Sequence, residues 1–183
     1  MSTANPAPLG LCGFAFTTWL LSMINVGWFP AGAMPLVLAS AFVFGGGAQF
    51  LAGLMEYPRA NSFGLVAFCG YGSFWLTYGV FVEMHPTAVP AGFVAWFLLL
   101  WGVFTAAMFI ASLSHNLVTQ AIFGALTVTF VLLAWGEFTA NAALHRAGGY
   151  FGLVTALLAF YGAMGQVINE SHGRTICPLG NRA

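Results

Sequence analysis

Residues 90–112 read PAGFVAWFLLLWGVFTAAMFIAS, 23 residues without one charged side chain. Coiled at ~1.5 Å per residue they reach about 34 Å, which matches the hydrocarbon thickness of a bilayer. Pro90 suits the first turn of such a helix, because its missing N–H would be unpaired there anyway. A buried helix of a soluble protein rarely runs so long without a polar face. The stretch is therefore read as a membrane-spanning helix.

The rest of the chain repeats that pattern on both sides. Of 183 residues, 60% are apolar, 16% aromatic and 4% charged, with a mean hydropathy of +0.90. Soluble domains carry about 25% charged residues. The eight charges are Glu56, Arg59, Glu83, Glu137, Arg146, Glu170, Arg174 and Arg182, with no lysine or aspartate. The gaps between their clusters are long enough to cross a bilayer. A β-barrel would need alternating strands with a polar lumen face, and polar residues are too scarce to supply one. Net charge zero and the lack of like-charge runs exclude a nucleic-acid surface. Met1–Ala7 lacks the basic start of a signal peptide, so Met1 is read as retained. Cys12, Cys69 and Cys177 are odd in number and unrelated in spacing, which suits neither a disulfide framework nor a zinc site.

The fold class is thus an all-α membrane protein. One domain, residues 1–183, is expected to hold six transmembrane helices at about 8–24, 33–55, 61–82, 90–112, 117–135 and 150–168. Their ends are marked by Asn5-Pro6-Ala7-Pro8, by Asn25–Gly32 with Gly27 and Pro30, by Glu56-Tyr57-Pro58-Arg59, by Glu83-Met84-His85-Pro86 and by Ser114-His115-Asn116. An even number of spans puts both termini on one side. Arg59, Arg174 and Arg182 fall on that side and Arg146 opposite, so both termini are expected in the cytoplasm, in the cell membrane. Trp28, Trp135 and Tyr150 suit the interfacial aromatic belt.

Small residues give the packing. Ala41, Gly45, Gln49 and Gly53 recur at spacing four, Gly64, Gly70, Gly72 and Ser73 lie on the third span, and Gly148, Gly152 and Ala156 near the sixth. Such ridges let membrane helices approach closely. Phe63-Gly64-Leu65-Val66 and Phe151-Gly152-Leu153-Val154 echo one another, as two inverted halves of three spans would.

Chemistry-bearing residues are sparse. No predicted span carries an ionisable group near its middle except tyrosines, which disfavours a carboxylate proton relay. His85, His115, His145 and His172 fall in loops or the tail without ligand spacing, so no metal or other cofactor is expected. No nucleophile elbow or phosphate loop points to an enzyme. What remains are neutral polar groups: Asn5, Thr17, Thr18, Gln49, Tyr71, Ser73, Thr77, Thr105, Thr127, Thr129, Asn141 and Gln166. The proline-rich start of the first helix is expected to leave N–H groups free at the positive end of the helix dipole, where they attract anions.

Asn5–Leu11 (NPAPLGL) resembles the N-terminal signature of the succinate–acetate permease family, the acetate uptake transporters. The likeness continues in Phe44–Tyr57 (FGGGAQFLAGLMEY), Asn61–Leu76 (NSFGLVAFCGYGSFWL), Leu100–Phe109 (LWGVFTAAMF), Asn141-Ala142-Ala143 and Gly173–Gly180 (GRTICPLG). The resemblance implies a six-helix protomer, a homo-hexameric ring in lipid with one path inside each protomer, and passage of acetate and related short carboxylates, with succinate in some members. It further implies a narrow apolar constriction from the first, third and fifth helices, which motif matching places at Phe14, Tyr71 and Leu126. Asn5, Thr17, Thr18, Gln49, Ser73, Thr127 and Asn141 are the candidate substrate-path residues. The chain departs from the family pattern at Cys69-Gly70 and in lacking lysine.

Asn-Pro-Ala also marks water channels, but those need two such motifs and this chain has one. A non-conducting structural membrane protein is a second alternative. The expected mechanism is channel-like: helix-one N–H groups and hydroxyl or amide donors partly replace water around the anion, and Phe14, Tyr71 and Leu126 sieve by size and dewetting. Proton-coupled symport stays open as the alternative. The topology is checked by single cysteines at His115 and Ala143 in a background without the native cysteines. An impermeant thiol reagent on intact cells should label position 143 and spare 115; the reverse pattern would invert the orientation.

Overall fold

The computed structural model describes residues 4–84 and 89–180. His85, Pro86 and Arg182, which entered the reading of loops and orientation, lie outside the described residues. The described chain is helical: α1 Ala7–Asn25, α2 Met34–Phe42, α3 Gln49–Glu56, α4 Ser62–Met84, α5 Ala91–Ser112, α6 Leu117–Thr139 and α7 Ala142–His172. A π-helical segment, Val43–Ala48, joins α2 to α3, so the two form one span from Ala31 to Arg59. Among the described residues, six spans are long and apolar enough to cross a membrane.

The spans differ from the expected ones chiefly in two places. The second span is not a uniform helix, because the Gly45-Gly46-Gly47 triplet lets the backbone widen into a π turn. The last helix starts at Ala142 rather than near 150, and the fifth runs on to Thr139. The cause is a cap that hydropathy does not register. Ala140 turns the chain with φ +49, and the Asn141 side chain accepts the N–H groups of Ala143 and Leu144. With 31 residues α7 reaches about 46 Å, longer than the hydrocarbon, so its polar first turns stand outside it. Gly173, at φ +61, ends it.

The same junction occurs once more on the other membrane face. Ala60, φ +54, precedes Asn61, whose side chain accepts the Gly64 N–H at the start of α4. Since α4 and α7 cross in opposite directions, the two junctions fit an inverted pair of halves. The Phe-Gly-Leu-Val echo does not occupy equivalent places, however: it begins two residues after Asn61 and ten after Asn141.

The spans close into a ring. Going round it, α1 packs on the second span, the second span on α4, then come α5, α6 and α7, which returns to α1. Backbone approaches set this ring. A Cβ on Gly13 would strike the Phe44 carbonyl oxygen, and one on Gly53 would lie 2.5 Å from the Cys69 nitrogen. Only glycine lets the second span sit this near α1 and α4. By contrast α4 and α5 meet mainly through side chains, with Tyr71 and Phe74 against Trp101 and Phe104. The centre is filled by Phe14, Tyr71, Phe74, Met108, Phe123, Leu126 and Phe130. Outward, Leu36, Val43, Leu51, Phe93, Leu100, Val103, Ile110 and Leu157 are exposed, as a lipid-facing surface requires.

Because the atom opposing Gly13 is backbone, Gly13→Ala should destabilise the protein by roughly 1–3 kcal/mol. Gly32, whose Cβ would meet nothing within 4 Å, is the control, and Gly32→Ala should leave thermal unfolding in detergent unchanged.

Candidate functional site

At the end of the bundle where α1 and α4 begin, a cavity of about 250 Å³ opens between α1, the second span, α4, α6 and α7. Its rim is polar, formed by Asn5, Glu56, Asn61, His115, Thr119 and Gln166. Its inner end is apolar, formed by Leu11, Ala67, Ile122 and Phe123. Each rim group is held by its neighbours. Asn5 donates through Nδ2 to Gln166 Oε1 at 2.9 Å, which ties the start of α1 to α7. Asn61 donates through Nδ2 to Glu56 Oε2 at 3.0 Å, and Arg59 Nε approaches the same oxygen at 3.3 Å. The Arg59 guanidinium also donates to the Ala4 carbonyl. The His115 ring stacks on Phe63 with centroids 4.2 Å apart.

Glu56 is the unusual member. It is 1% exposed, the one buried carboxylate among the described residues, and its Oε1 has no hydrogen-bond partner. A buried charge needs pairing. Here Arg59 and Asn61 serve one oxygen and leave the other over.

One helical turn further in lie the three residues of the expected constriction. Leu11 of the cavity is followed by Phe14, Ala67 by Tyr71 and Ile122 by Leu126, each at helical spacing on its own helix. All three are buried in one cluster, and the Phe14 and Tyr71 rings lie 5.7 Å apart. Tyr71 donates its hydroxyl to Thr105 Oγ1 at 2.9 Å, and Thr105 donates on to the Trp101 carbonyl at 2.7 Å. That chain fixes the phenol ring, with Phe104 and Phe123 edge-on or tilted against it. Beyond this layer Phe74 packs on Phe97, Trp101 and Phe130.

The other expected path residues are spread more widely. Asn5 lies on the cavity rim, and Thr18 is buried on α1, four residues after Phe14. Thr17 faces the second span and shares a hydrogen bond of 2.7 Å with Ser40. Gln49, 1% exposed, sits against Gly13 at the α1–α3 contact. Thr127 donates to the Phe123 carbonyl of its own helix, and Ser73 is half-buried outside the cavity lining. Asn141 caps α7 at the opposite membrane face.

The expected free N–H groups at the start of α1 are not there. Pro6 and Pro8 have none, the Ala7 N–H goes to Asn5 Oδ1, and those of Leu9 and Gly10 go to the Pro6 carbonyl. The proline-rich start consumes its own donors, so the Asn5 side chain, not the helix end, is the polar element there. Sequence reasoning also passed over Glu56, Asn61 and His115 as ordinary span ends. A Glu and an Asn five residues apart around a Pro-Arg turn was the available signal.

Comparison with known proteins gives a concordant result. The family model described as the GPR1/FUN34/yaaH family matches residues 1–179. The chain is similar to the succinate-acetate/proton symporter SatP of Escherichia coli K12, at 48% identity over 97% of this chain and 95% of that one. It is similar to ammonia transport outward protein 2 of Saccharomyces cerevisiae, at 36% identity over 87% of this chain and 60% of that one. A solved structure titled as the bacterial acetate channel SatP superposes with a TM-score of 0.95 at 47% identity, covering 98% of this chain and 100% of that one.

Asn61 both caps α4 and holds Glu56, whereas Asn141 only caps α7. Asn61→Ala should therefore cost about 2–3 kcal/mol, a cap plus a hydrogen bond to a charged group. Asn141→Ala should cost about 1 kcal/mol. Parallel unfolding curves on the purified protein give the comparison; equal losses would show that the Asn61–Glu56 bond contributes nothing.

Proposed function

This chain belongs to the GPR1/FUN34/yaaH family, and from that premise we propose that it passes acetate and related short carboxylates, succinate among them, across the cell membrane through a path inside each protomer. The observation that carries the reading is the stacking of two layers on the bundle axis: a polar-rimmed cavity at one mouth, and directly inside it the apolar layer of Phe14, Tyr71 and Leu126.

A carboxylic acid with an ordinary pKa near 4 is almost wholly anionic at pH 7. A bare charge at the bilayer centre costs at least a few kcal/mol, so the path must replace part of its water. Asn5, Asn61, Gln166 and Thr119 offer amide and hydroxyl groups at the cavity, and no lysine is present to trap the anion there. The apolar layer then sieves: a small carboxylate with a short alkyl tail suits it, and a larger hydrated ion does not. On this reading the protomers assemble as a homo-hexamer in the lipid of the cytoplasmic membrane. Both termini face the cytoplasm and the Asn5–Asn61 cavity forms the inner mouth.

Movement is channel-like in this proposal, since mid-span carboxylates are absent among the described residues. Proton-coupled symport has one observation on its side, the buried Glu56 at the cavity. The two separate in proteoliposomes that report acetate and proton fluxes together, with ammonia as a third solute. Acetate uptake with a freely variable proton ratio is the expected result. If Glu56→Gln abolished proton-linked uptake while acetate exchange persisted, symport would replace the channel reading, and ammonia flux without acetate flux would remove the carboxylate.

The constriction has its own test. Truncating a buried leucine ordinarily costs about 2–5 kcal/mol, and a residue that only packs should lose flux with stability. Leu126→Ala should instead pass acetate faster per intact oligomer and admit bulkier monocarboxylates. Reduced flux with unchanged selectivity in alanine variants of Phe14, Tyr71 and Leu126 alike would return all three to the core.

A further inference from the structure

Among the described residues, the buried and half-buried threonine hydroxyls of these spans are paired, with one exception. Thr105, Thr127, Thr129 and Thr155 each donate to the carbonyl four residues back. Thr17 bonds to Ser40 across the α1–α2 contact. Such bonds are what the hydrocarbon demands, because no water is available to take the proton instead. Thr18 is the exception: it is 7% exposed and its Oγ1 has no partner.

A second orphan sits on the facing helix. Trp75 is 2% exposed and its indole Nε1, a donor only, is likewise without a partner. Four such buried atoms occur among the described residues, and the other two, Gln49 Oε1 and Glu56 Oε1, are acceptors. Gln49 belongs to the α1–α3 contact and Glu56 to the mouth, whereas the two donors share one level of the bundle.

That level follows from register. Helices α1 and α4 cross the membrane in the same direction. A Cβ on Gly10 would press on the Phe68 ring, which sets the first layer. The next is the Phe14–Tyr71 ring pair, with centroids at 5.7 Å. Four residues further on each helix, on the same faces, come Thr18 and Trp75. Their surroundings are apolar, since Trp75 packs edge-on against Phe74 and Tyr78.

We propose that Thr18 Oγ1 and the Trp75 indole N–H form a carboxylate-binding subsite one helical turn beyond the Phe14–Tyr71–Leu126 constriction. The inference rests on the acetate-conducting reading above and names where the anion is held after it has passed the narrow layer. Two donors and no acceptor-only group match the two oxygens of one carboxylate, and the aromatic walls suit a short alkyl tail. Leaving a donor unpaired in hydrocarbon is costly when the site is empty. An arriving carboxylate removes that cost and loses only part of its own hydration. Two hydrogen bonds without a cation hold it weakly enough to let it leave, which conduction requires.

The test uses the whole oligomer with acetate as probe. Thr18→Val keeps the shape and deletes one donor, Trp75→Phe deletes the other donor along with one ring, and Thr18→Ser keeps the hydroxyl. Two quantities are read: the half-saturating acetate concentration for flux in proteoliposomes, and the acetate-induced rise in melting temperature of the purified protein. Thr18→Val and Trp75→Phe should each raise half-saturation about tenfold and shrink the melting shift, while Thr18→Ser stays within twofold of the parent. Melting without acetate should not fall in Thr18→Val, because the lost hydroxyl was unpaired. The double variant should fall short of the product of the two single effects, as expected for donors that grip one anion. If the parent transports acetate and both deletion variants keep its half-saturation, the subsite is wrong and conduction stands. A parent that passes no acetate removes the conduction reading itself. Should Trp75→Phe fail to assemble, the Thr18→Val and Thr18→Ser pair decides alone.

Discussion

Inside hydrocarbon a polar group has no water to fall back on, and each one left unpaired costs several kcal/mol. The architecture of this chain follows from that constraint. Backbone groups are paired within helices, span by span. Threonine hydroxyls turn back onto the preceding turn. The amides and carboxylate that cannot do so gather at the mouth, where Asn5 meets Gln166 and Asn61 meets Glu56. Donors that escape this discipline, as at Thr18 and Trp75, stand out for that reason.

Glycine has a complementary part. Where the second span presses onto α1 and α4, side chains are absent and backbones nearly touch, as at Gly13, Gly53 and Gly72. Where α4 faces α5 the reverse holds, and large rings keep the helices apart. The bundle is tight on one flank and filled with aromatics on the other. The central layer of Phe14, Tyr71 and Leu126 is held between those two kinds of contact.

Much of this could be read from the residues alone, and the unread part has identifiable physical causes. The six spans were legible because hydropathy and the scarcity of charge report burial in lipid directly. The true start of α7 was not, since Ala142–Gly149 contains His145 and Arg146 and its helix is set by the Asn141 cap rather than by apolar content. The buried state of Glu56 was hidden for a related reason: a carboxylate beside Pro58 and Arg59 looks like a solvated span end until Asn61 is seen to fold back on it. The local likeness that suggested duplication lay in a four-residue echo, whereas the structural repeat lies in two Ala-Asn junctions. Thr18 was singled out with Thr17 and Thr127, but which hydroxyl is left over is decided by rotamers and neighbours, and spacing carries no record of those.

The widened turn at Val43–Ala48 bears on how this sequence can change over time. A π turn accommodates one residue more than the α-helix around it, and one residue is worth about 100° of rotation about the helix axis. Everything after it on the span, from Gln49 through Gly53 to Glu56, faces the bundle because that extra residue has been counted in. If the segment tightened to a regular helix with all its residues kept, Glu56 would turn away from Asn61 by about 100°, whereas a one-residue deletion within the glycine triplet removes the surplus residue and the wide turn together and leaves Glu56 facing as before. The triplet thus acts as a phase counter, in which residue number and turn width have to change together.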